Sequence, residues 1–448
     1  MICKERAFYK MFFRLTGAVA LQNLILLGVS LCDNMMLGGY NELAMSGVAI
    51  VIQIQFLLQL TVNGVGTGAA VIASQHWGKR ETAPIRRVFG VAFCAALAVG
   101  CLLGVLGFFI PGKLLGLLTN EAEVIEQGVQ YMRILAPSYP LLALTSVGIA
   151  MFRSVESTQV GVYLSLAALG LDTALNYVLI YGKLGFPSLG VRGAAIATVI
   201  SYIAQFVMLV CYLCFVDKKL RMRLRECFHI EKIYLQKFLR IALPLVGSGL
   251  SWGLAMGVQS AILGRMGKPS IAANAMVTAL FQVITVVAYA AAAAANVVIG
   301  KAVGQGDRAK VKLYARTLQL IFLCIGLCTS AALLLARGGI LQFYQVSEAT
   351  GALAKQFLLV LCVTVAGTSY QMASLTGIVS GGGDTRFVLV NDLIFMWGIV
   401  LPLSALSAFV WHLSPLITFI FLKSDQIAKC AVAVVKVNRF RWIRDLTK

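Results

Sequence analysis

The run VFGVAFCAALAVGCLLGVLGFFIP, residues 88 to 111, is longer than the roughly 20 residues with which an α-helix crosses about 30 Å of hydrocarbon. The run AAIATVISYIAQFVMLVCYLCFV, 194 to 216, repeats the feature. Inside lipid no water serves the backbone, so a spanning segment must satisfy its own hydrogen bonds as a helix or as part of a closed barrel. Barrel strands write alternating segments of about 10 residues, and this chain has none of that pattern. Its 448 residues are 59% hydrophobic and only 12% charged, where a soluble domain carries about a quarter charged. These features predict an all-α polytopic membrane protein.

Marking the apolar runs and the Gly, Pro and charge clusters between them gives twelve spans, near 12–38, 46–75, 87–110, 129–152, 160–182, 191–216, 238–264, 271–299, 312–336, 353–379, 387–410 and 414–435. The first follows Lys4, Arg6, Lys10 and Arg14, a flank that a signal peptide shares. The run exceeds a typical apolar signal region and has no small-x-small cleavage site, so it reads as a retained helix. Lys and Arg crowd the amino terminus, 76–87, the segment from 217, 300–316, 380–386 and the tail after 435, including Arg86, Arg87, Arg223, Arg225, Lys301, Lys310 and Arg444. The positive-inside rule then puts both termini in the cytoplasm, and the plasma (cytoplasmic) membrane is the expected location. It also accounts for the +20 net charge without a nucleic-acid partner. The basic linker serves topology first, with contact to anionic lipid as its sharper reading. Cys211 and Cys214 form a CxxC inside an apolar run with no His nearby, a pattern of packing residues rather than of a metal or redox site.

The chain also repeats itself. At an offset of 226 residues, LGGYNELAMSGVAIV (37–51) falls on LGRMGKPSIAANAMV (263–277), and Gly78 falls on Gly304. Two parallel six-helix lobes follow, 1–216 and 238–448, joined by the basic linker 217–237. Such duplication is typical of transporters whose halves rock about a site.

The segments CDNMMLGGYNELAMSGVAI, GTGAAVIASQHWGKR, LDTALNYVLIYG, LGVRGAAIATVIS, the LPL near 243, GKAVGQGDRAK and VSGGGDTRFVL resemble, in their order and spacing, the multidrug and toxic compound extrusion (MATE) transporters. The resemblance covers nearly the whole chain. It implies a V-shaped fold of twelve transmembrane helices in two lobes, exporting organic cations and other amphipathic compounds against inward H+ or Na+.

Most of the 18 acids lie in loops or at ends. Asp33 and Asp172 do not, while Asp392 and Asp425 stand nearer span ends. An ionised carboxylate at depth costs about 2.5–3.5 kcal/mol, so it must face a cavity or partners. Burial favours a neutral acid and a nearby cation the charged form, so one such group can hold a proton and a cation in turn. At 1.5 Å per residue, Asp33 lies roughly 30 Å along helix 1, Asp172 roughly 18 Å and Asn176 roughly 24 Å along helix 5. Thr198 lies within two turns of the outer end of helix 6, so all four fall in the outer half of the first lobe. The resemblance implies a coupling site for a cation or proton from an acid in helix 1, two polar residues four apart in helix 5 and a Thr in the GAAxAT segment. Here these are Asp33, Asp172, Asn176 and Thr198, which are also the candidate Na+ ligands. Family members commonly place Asn first in the helix 5 pair, whereas LDTALN has Asp first. The competing structural reading of Asp33 and Asp172 is a polar contact between helices.

Gln55, Gln59 and Asn63 recur every four residues on one face, with Gln53 beside them. Such a stripe lines a cavity or joins helices. Asn34, Gln259, Gln282, Tyr289 and Gln371 complete the candidate cavity lining. Pro137, Pro140, Pro244 and Pro402 are expected to bend helices, and the alanines of AYAAAAAAN (288–296) to let helices pack closely. The function expected is secondary active efflux of small organic compounds, in a lipid bilayer and as a monomer, with H+ or Na+ as coupling ion and no cofactor. A lipid-linked saccharide flippase is the alternative, with Arg133 its main basic candidate. An intramembrane enzyme lacks a catalytic set such as HExxH or GxSxG.

Overall fold

A computed structural model describes residues 2–222, 231–340 and 347–447. Arg223 and Arg225 of the basic linker lie outside the described residues. All regular elements among those described are helical. Among the described residues eleven helices are long and apolar enough to cross a membrane: α1 Arg6–Tyr40, α2 Glu42–Gly78, α3 Thr82–Phe109, α4 Ala122–Ser154, α5 Gln159–Tyr181, α6 Val191–Val216, α7 Lys232–Gly264, α8 Lys268–Gly304, α9 Arg308–Ile340, α10 Glu348–Val379 and α11 Thr385–Phe409. The run expected at 414–435 forms two shorter helices, α12 Pro415–Lys423 and α13 Asp425–Asn438. Ser424 between them keeps right-handed helical dihedrals, φ −64° and ψ −31°. Its carbonyl accepts from both Ile427 N (3.2 Å) and Ala428 N (3.0 Å), so the turn tightens without leaving the helical path.

The duplication pairs ten of the eleven long helices, and α6 answers to the split α12 and α13. α2 and α8 are both 37 residues long, and they start at 42 and 268 and end at 78 and 304. The starts of α1 and α7 (6, 232), α3 and α9 (82, 308), α4 and α10 (122, 348) and α5 and α11 (159, 385) keep the same spacing.

By contacts the chain divides into two compact units, one of residues 21–246 and one of residues 1–20 with 247–448. In the first, α2 begins at Asn41, whose side chain accepts from Leu43 N at 2.8 Å, a cap for an otherwise orphan amide. At the proline pair α4 carries a 3₁₀ turn over Ala136–Ser138. Large apolar side chains stay on the outside of both units, among them Leu102, Phe109, Phe215 and Leu335. In water such a surface would drive aggregation, and in lipid it is the solvated one. The same logic relieves Cys211 and Cys214 of packing, since both are free thiols on exposed positions.

In the second unit the start of α1 is part of the core. Phe8, Phe12 and Leu15 pack with Val297, Tyr314 and Phe322, and the rings of Phe8 and Tyr314 lie 4.4 Å apart. The alanine run of α8 is buried, and a Cβ placed on Gly377 would stand 2.9 Å from the Ala292 carbonyl oxygen. The backbones of α8 and α10 thus meet where neither carries a bulky side chain. π-helical turns cover Ala373–Val379 and Ile394–Val400, the latter leading into Pro402. A proline cannot donate to the carbonyl four residues back, and the wide turn lies where that bond is missing.

Candidate functional site

The amino-terminal unit gathers Asp33, Asp172 and Asn176 into one cluster. Asn176 Nδ2 donates to Asp33 Oδ1 at 2.6 Å and to Asp172 Oδ2 at 3.0 Å. α5 puts Asp172 and Asn176 one turn apart on one face, and α1 brings the carboxyl group of Asp33 up against that face. The two carboxyl groups lie side by side within hydrogen-bonding reach. Asp172 is 2% exposed and Asn176 fully buried, whereas Asp33 is half-buried.

Thr198 is buried beside Asp172, and its hydroxyl donates to the carbonyl of Ala194 at 3.1 Å. Ser201, one turn further along α6, also stands beside Asp172. Three buried oxygens of the cluster, Asp172 Oδ1, Asn176 Oδ1 and Ser201 Oγ, make no hydrogen bond. Buried polar atoms are ordinarily paired, so three orphans in one cluster call for a further partner. The donor set is two carboxylates, an amide oxygen and hydroxyls. That set suits a hard monovalent cation or a proton. Ser201 and the neighbouring Tyr131 were outside the sequence expectation. The signal for Ser201 was its place three residues after Thr198 in ATVIS, on the same helical face.

The other expected residues spread more widely. Gln55 donates to the Tyr202 hydroxyl, tying α2 to α6. Gln59 is half-buried, and Gln53 and Asn63 are exposed. Asn34 turns its amide onto its own helix, to the carbonyl of Ser30 at 2.8 Å. In the carboxy-terminal unit Gln259 points its amide at the sulfur of Met396 (3.3 Å), and Gln371 is buried and donates to Gln426 Oε1 at 3.0 Å. Gln282 and Tyr289 are exposed, as is Arg133 in the other unit.

The repeat shows how one-sided the acid site is. At the 226-residue spacing Asp33 corresponds to Gln259, Asp172 to Gly398, Asn176 to Pro402 and Thr198 to Ser424. Neither acid has an acidic counterpart in the second half.

A duplicated bundle of apolar helices with carboxyl, amide and hydroxyl groups clustered at depth has the make-up of a membrane transporter. The MatE family model matches residues 18–178 and 244–406, one stretch in each repeat, and the chain belongs to that family of multidrug efflux transporters. It is 24% identical over 400 residues to the uncharacterized transporter YisQ of Bacillus subtilis, covering 88% of this chain and 86% of that protein. It is 28% identical over 302 residues to the probable multidrug resistance protein NorM of Photorhabdus laumondii, covering 66% and 65% of the two chains. Among solved structures, a MOP superfamily transporter from Pyrococcus furiosus superposes with a TM-score of 0.88 at 20% identity, covering 98% of this chain and 96% of that one.

Proposed function

We propose that the protein is a secondary active antiporter that exports organic cations and amphipathic compounds in exchange for H+ or Na+, working as a monomer in the cytoplasmic membrane with both termini inside. The observation that carries the coupling site is the pair of carboxyl groups bridged by the Asn176 amide, with three buried oxygens beside it lacking hydrogen bonds. Two adjacent carboxyl groups are stable together when a proton or a cation lies between them. An ion arriving from outside binds through the half-buried Asp33 and leaves the pair with a single negative charge. Its loss leaves two charges bridged only by one amide. The two occupancy states therefore favour different packings of α1 against α5 and α6. A ligand shifts a conformational equilibrium only by its difference in affinity for the two states, and these carboxyl groups supply that difference. The chain's role in this scheme is transport, with no bond made or broken in the substrate.

The test is export of a fluorescent organic cation from liposomes, first with a pH gradient alone and then with a Na+ gradient alone. The reading expects one gradient to drive export, and export indifferent to both would defeat it. Ser201→Ala provides a finer check. Its hydroxyl stands beside Asp172 without a well-aligned hydrogen bond, so its removal should cost less than about 1 kcal/mol of stability. If the hydroxyl is an ion ligand, the half-saturating concentration of the coupling ion should rise roughly tenfold, about 1.4 kcal/mol. An unchanged ion dependence would remove Ser201 from the site.

A further inference from the structure

The carboxy-terminal unit contains a second ionisable cluster that the family's acid site does not account for. Lys429 Nζ lies 3.0 Å from Asp392 Oδ1 and 3.3 Å from Asp425 Oδ2, one turn back on its own helix. Asp425 is 1% exposed and Lys429 4%. The Asp392 side chain is 24% exposed and is the accessible member. Ser248 on α7 donates to the other oxygen of Asp392, and Gln426 donates to Asp425 Oδ1 at 2.9 Å. With Lys429 charged, the three side chains sum to one negative charge. At the repeat spacing Asp392, Asp425 and Lys429 correspond to Leu166, Val199 and Ile203, so this cluster belongs to the second half alone.

The surroundings of Asp392 are aromatic. The Phe395 ring lies 5.9 Å from the Lys429 ammonium. Trp397 donates its indole N–H to Ser251 at 2.8 Å, one turn along α7 from the Ser248 contact, and Tyr289 is within electrostatic reach of Asp392. Trp397 and Tyr289 both keep exposed surface. A π-helical turn begins two residues after Asp392, a distortion common at functional sites. A carboxylate beside aromatic faces recognises ammonium groups, and the ammonium it now holds is the chain's own.

We propose that Asp392 is a subsite for organic ammonium substrates and that Lys429 is its tethered competitor, holding Asp392 when the subsite is empty and retreating to Asp425 when a substrate cation arrives. In either position the lysine remains paired, so the exchange strands no buried charge. This proposal rests on the export reading above for what the bound cation is, but it is tested by binding.

The experiment measures dansylcadaverine, a fluorescent primary alkylammonium, binding to the purified full-length protein, with neutral dansylamide as control. Asp392→Asn is expected to weaken dansylcadaverine at least ~10-fold. Asp425→Asn leaves Lys429 no alternative partner and should weaken it ~3-fold or more, while Lys429→Met removes the competitor and should tighten it ~10-fold. Dansylamide should bind alike throughout. If Lys429→Met does not fold, the two acid variants decide. Unchanged affinity in both, weaker binding in a folded Lys429→Met protein, or millimolar Na+ displacing the probe from wild type but not from Asp392→Asn would each overturn the proposal. Wild type that shows the predicted binding pattern yet exports no cation would defeat the export reading and leave the subsite standing. Gradient-driven export without the pattern would do the reverse.

Discussion

Asp33→Asn is expected to reduce gradient-driven export of an organic cation by at least ~100-fold while the protein still inserts and folds. The substitution is nearly isosteric and removes only the ability to hold a negative charge. Asn176 donates to Asp33 at 2.6 Å, and an asparagine carbonyl can still accept that bond, so the helix contact survives. The cluster then keeps a single carboxyl group, whose occupancy no longer switches the pair between singly and doubly charged. A contact that merely joins α1 to α5 would tolerate the exchange at a cost near that of one hydrogen bond, about 1 kcal/mol. Transport in liposomes, normalised to inserted protein and compared with melting temperature, separates the two outcomes. Near-normal export with a lowered melting temperature would assign Asp33 a structural role.

The second large effect falls on folding, at the turn between α10 and α11. Asp384 is 3% exposed at its side chain and pairs with Lys436 at 2.8 Å and with Arg444 at 3.0 Å. The segment after α13 returns along the same turn, with Arg444 N donating to the carbonyl of Gly382 at 2.8 Å and Trp442 fully buried. A Cβ at Gly382 would lie 2.1 Å from the Trp442 ring, so only glycine admits the indole. Gly383 follows at φ +93°, a backbone conformation that L side chains rarely adopt. Asp384→Ala removes the acid that holds both cations and leaves the partly buried Lys436 uncompensated. Losing one partner of a buried pair costs about 3–5 kcal/mol. Arg444 is 49% exposed and its share is screened by solvent, so we expect about 2–3 kcal/mol. Thermal unfolding in detergent and the yield of monodisperse protein measure it. A melting temperature within a degree of wild type would show that the tail is held by Trp442 packing and not by the ion pairs.

These residues also show what a sequence can and cannot disclose in such a chain. The helices were legible because a span in lipid must be apolar and continuous, and because the 226-residue repeat writes each helix twice. α12 and α13 were read as one run, since a single tightened turn at Ser424 leaves no mark in hydropathy. Asp33 and Asp172 stood out because an acid among apolar residues needs a partner. Asn176 followed from its four-residue spacing. Ser201 and Tyr131 stayed hidden, because a hydroxyl within an apolar helix has little cost and so little signal. The polar stripe of α2 was visible as a stripe, but which neighbour receives Gln55 depends on the packing of α6.

Asp392 and Asp425 show the opposite error. Their places nearer span ends gave them less weight than Asp33 and Asp172, whereas Asp425 is buried, and Lys429 one turn on supplies its charge. The pairing was present in DQIAK as an i, i+4 couple of opposite sign. Hydropathy alone does not mark such a couple as buried. GGGD, noticed in the sequence only as part of a resemblance, has its physical reason in Trp442 and in the two cations beyond it.

The account turns on ions moving when substrate moves, and the most direct measurement is that movement itself. Liposomes containing wild type, loaded with an organic cation and held without any imposed ion gradient, should take up either protons or radiolabelled Na+ as the substrate leaves. The Asp33→Asn, Asp172→Asn double variant should take up neither. Substrate leaving wild-type liposomes with no flux of either ion, or an ion flux of wild-type size in the double variant, would contradict a coupling site built on these two carboxyl groups.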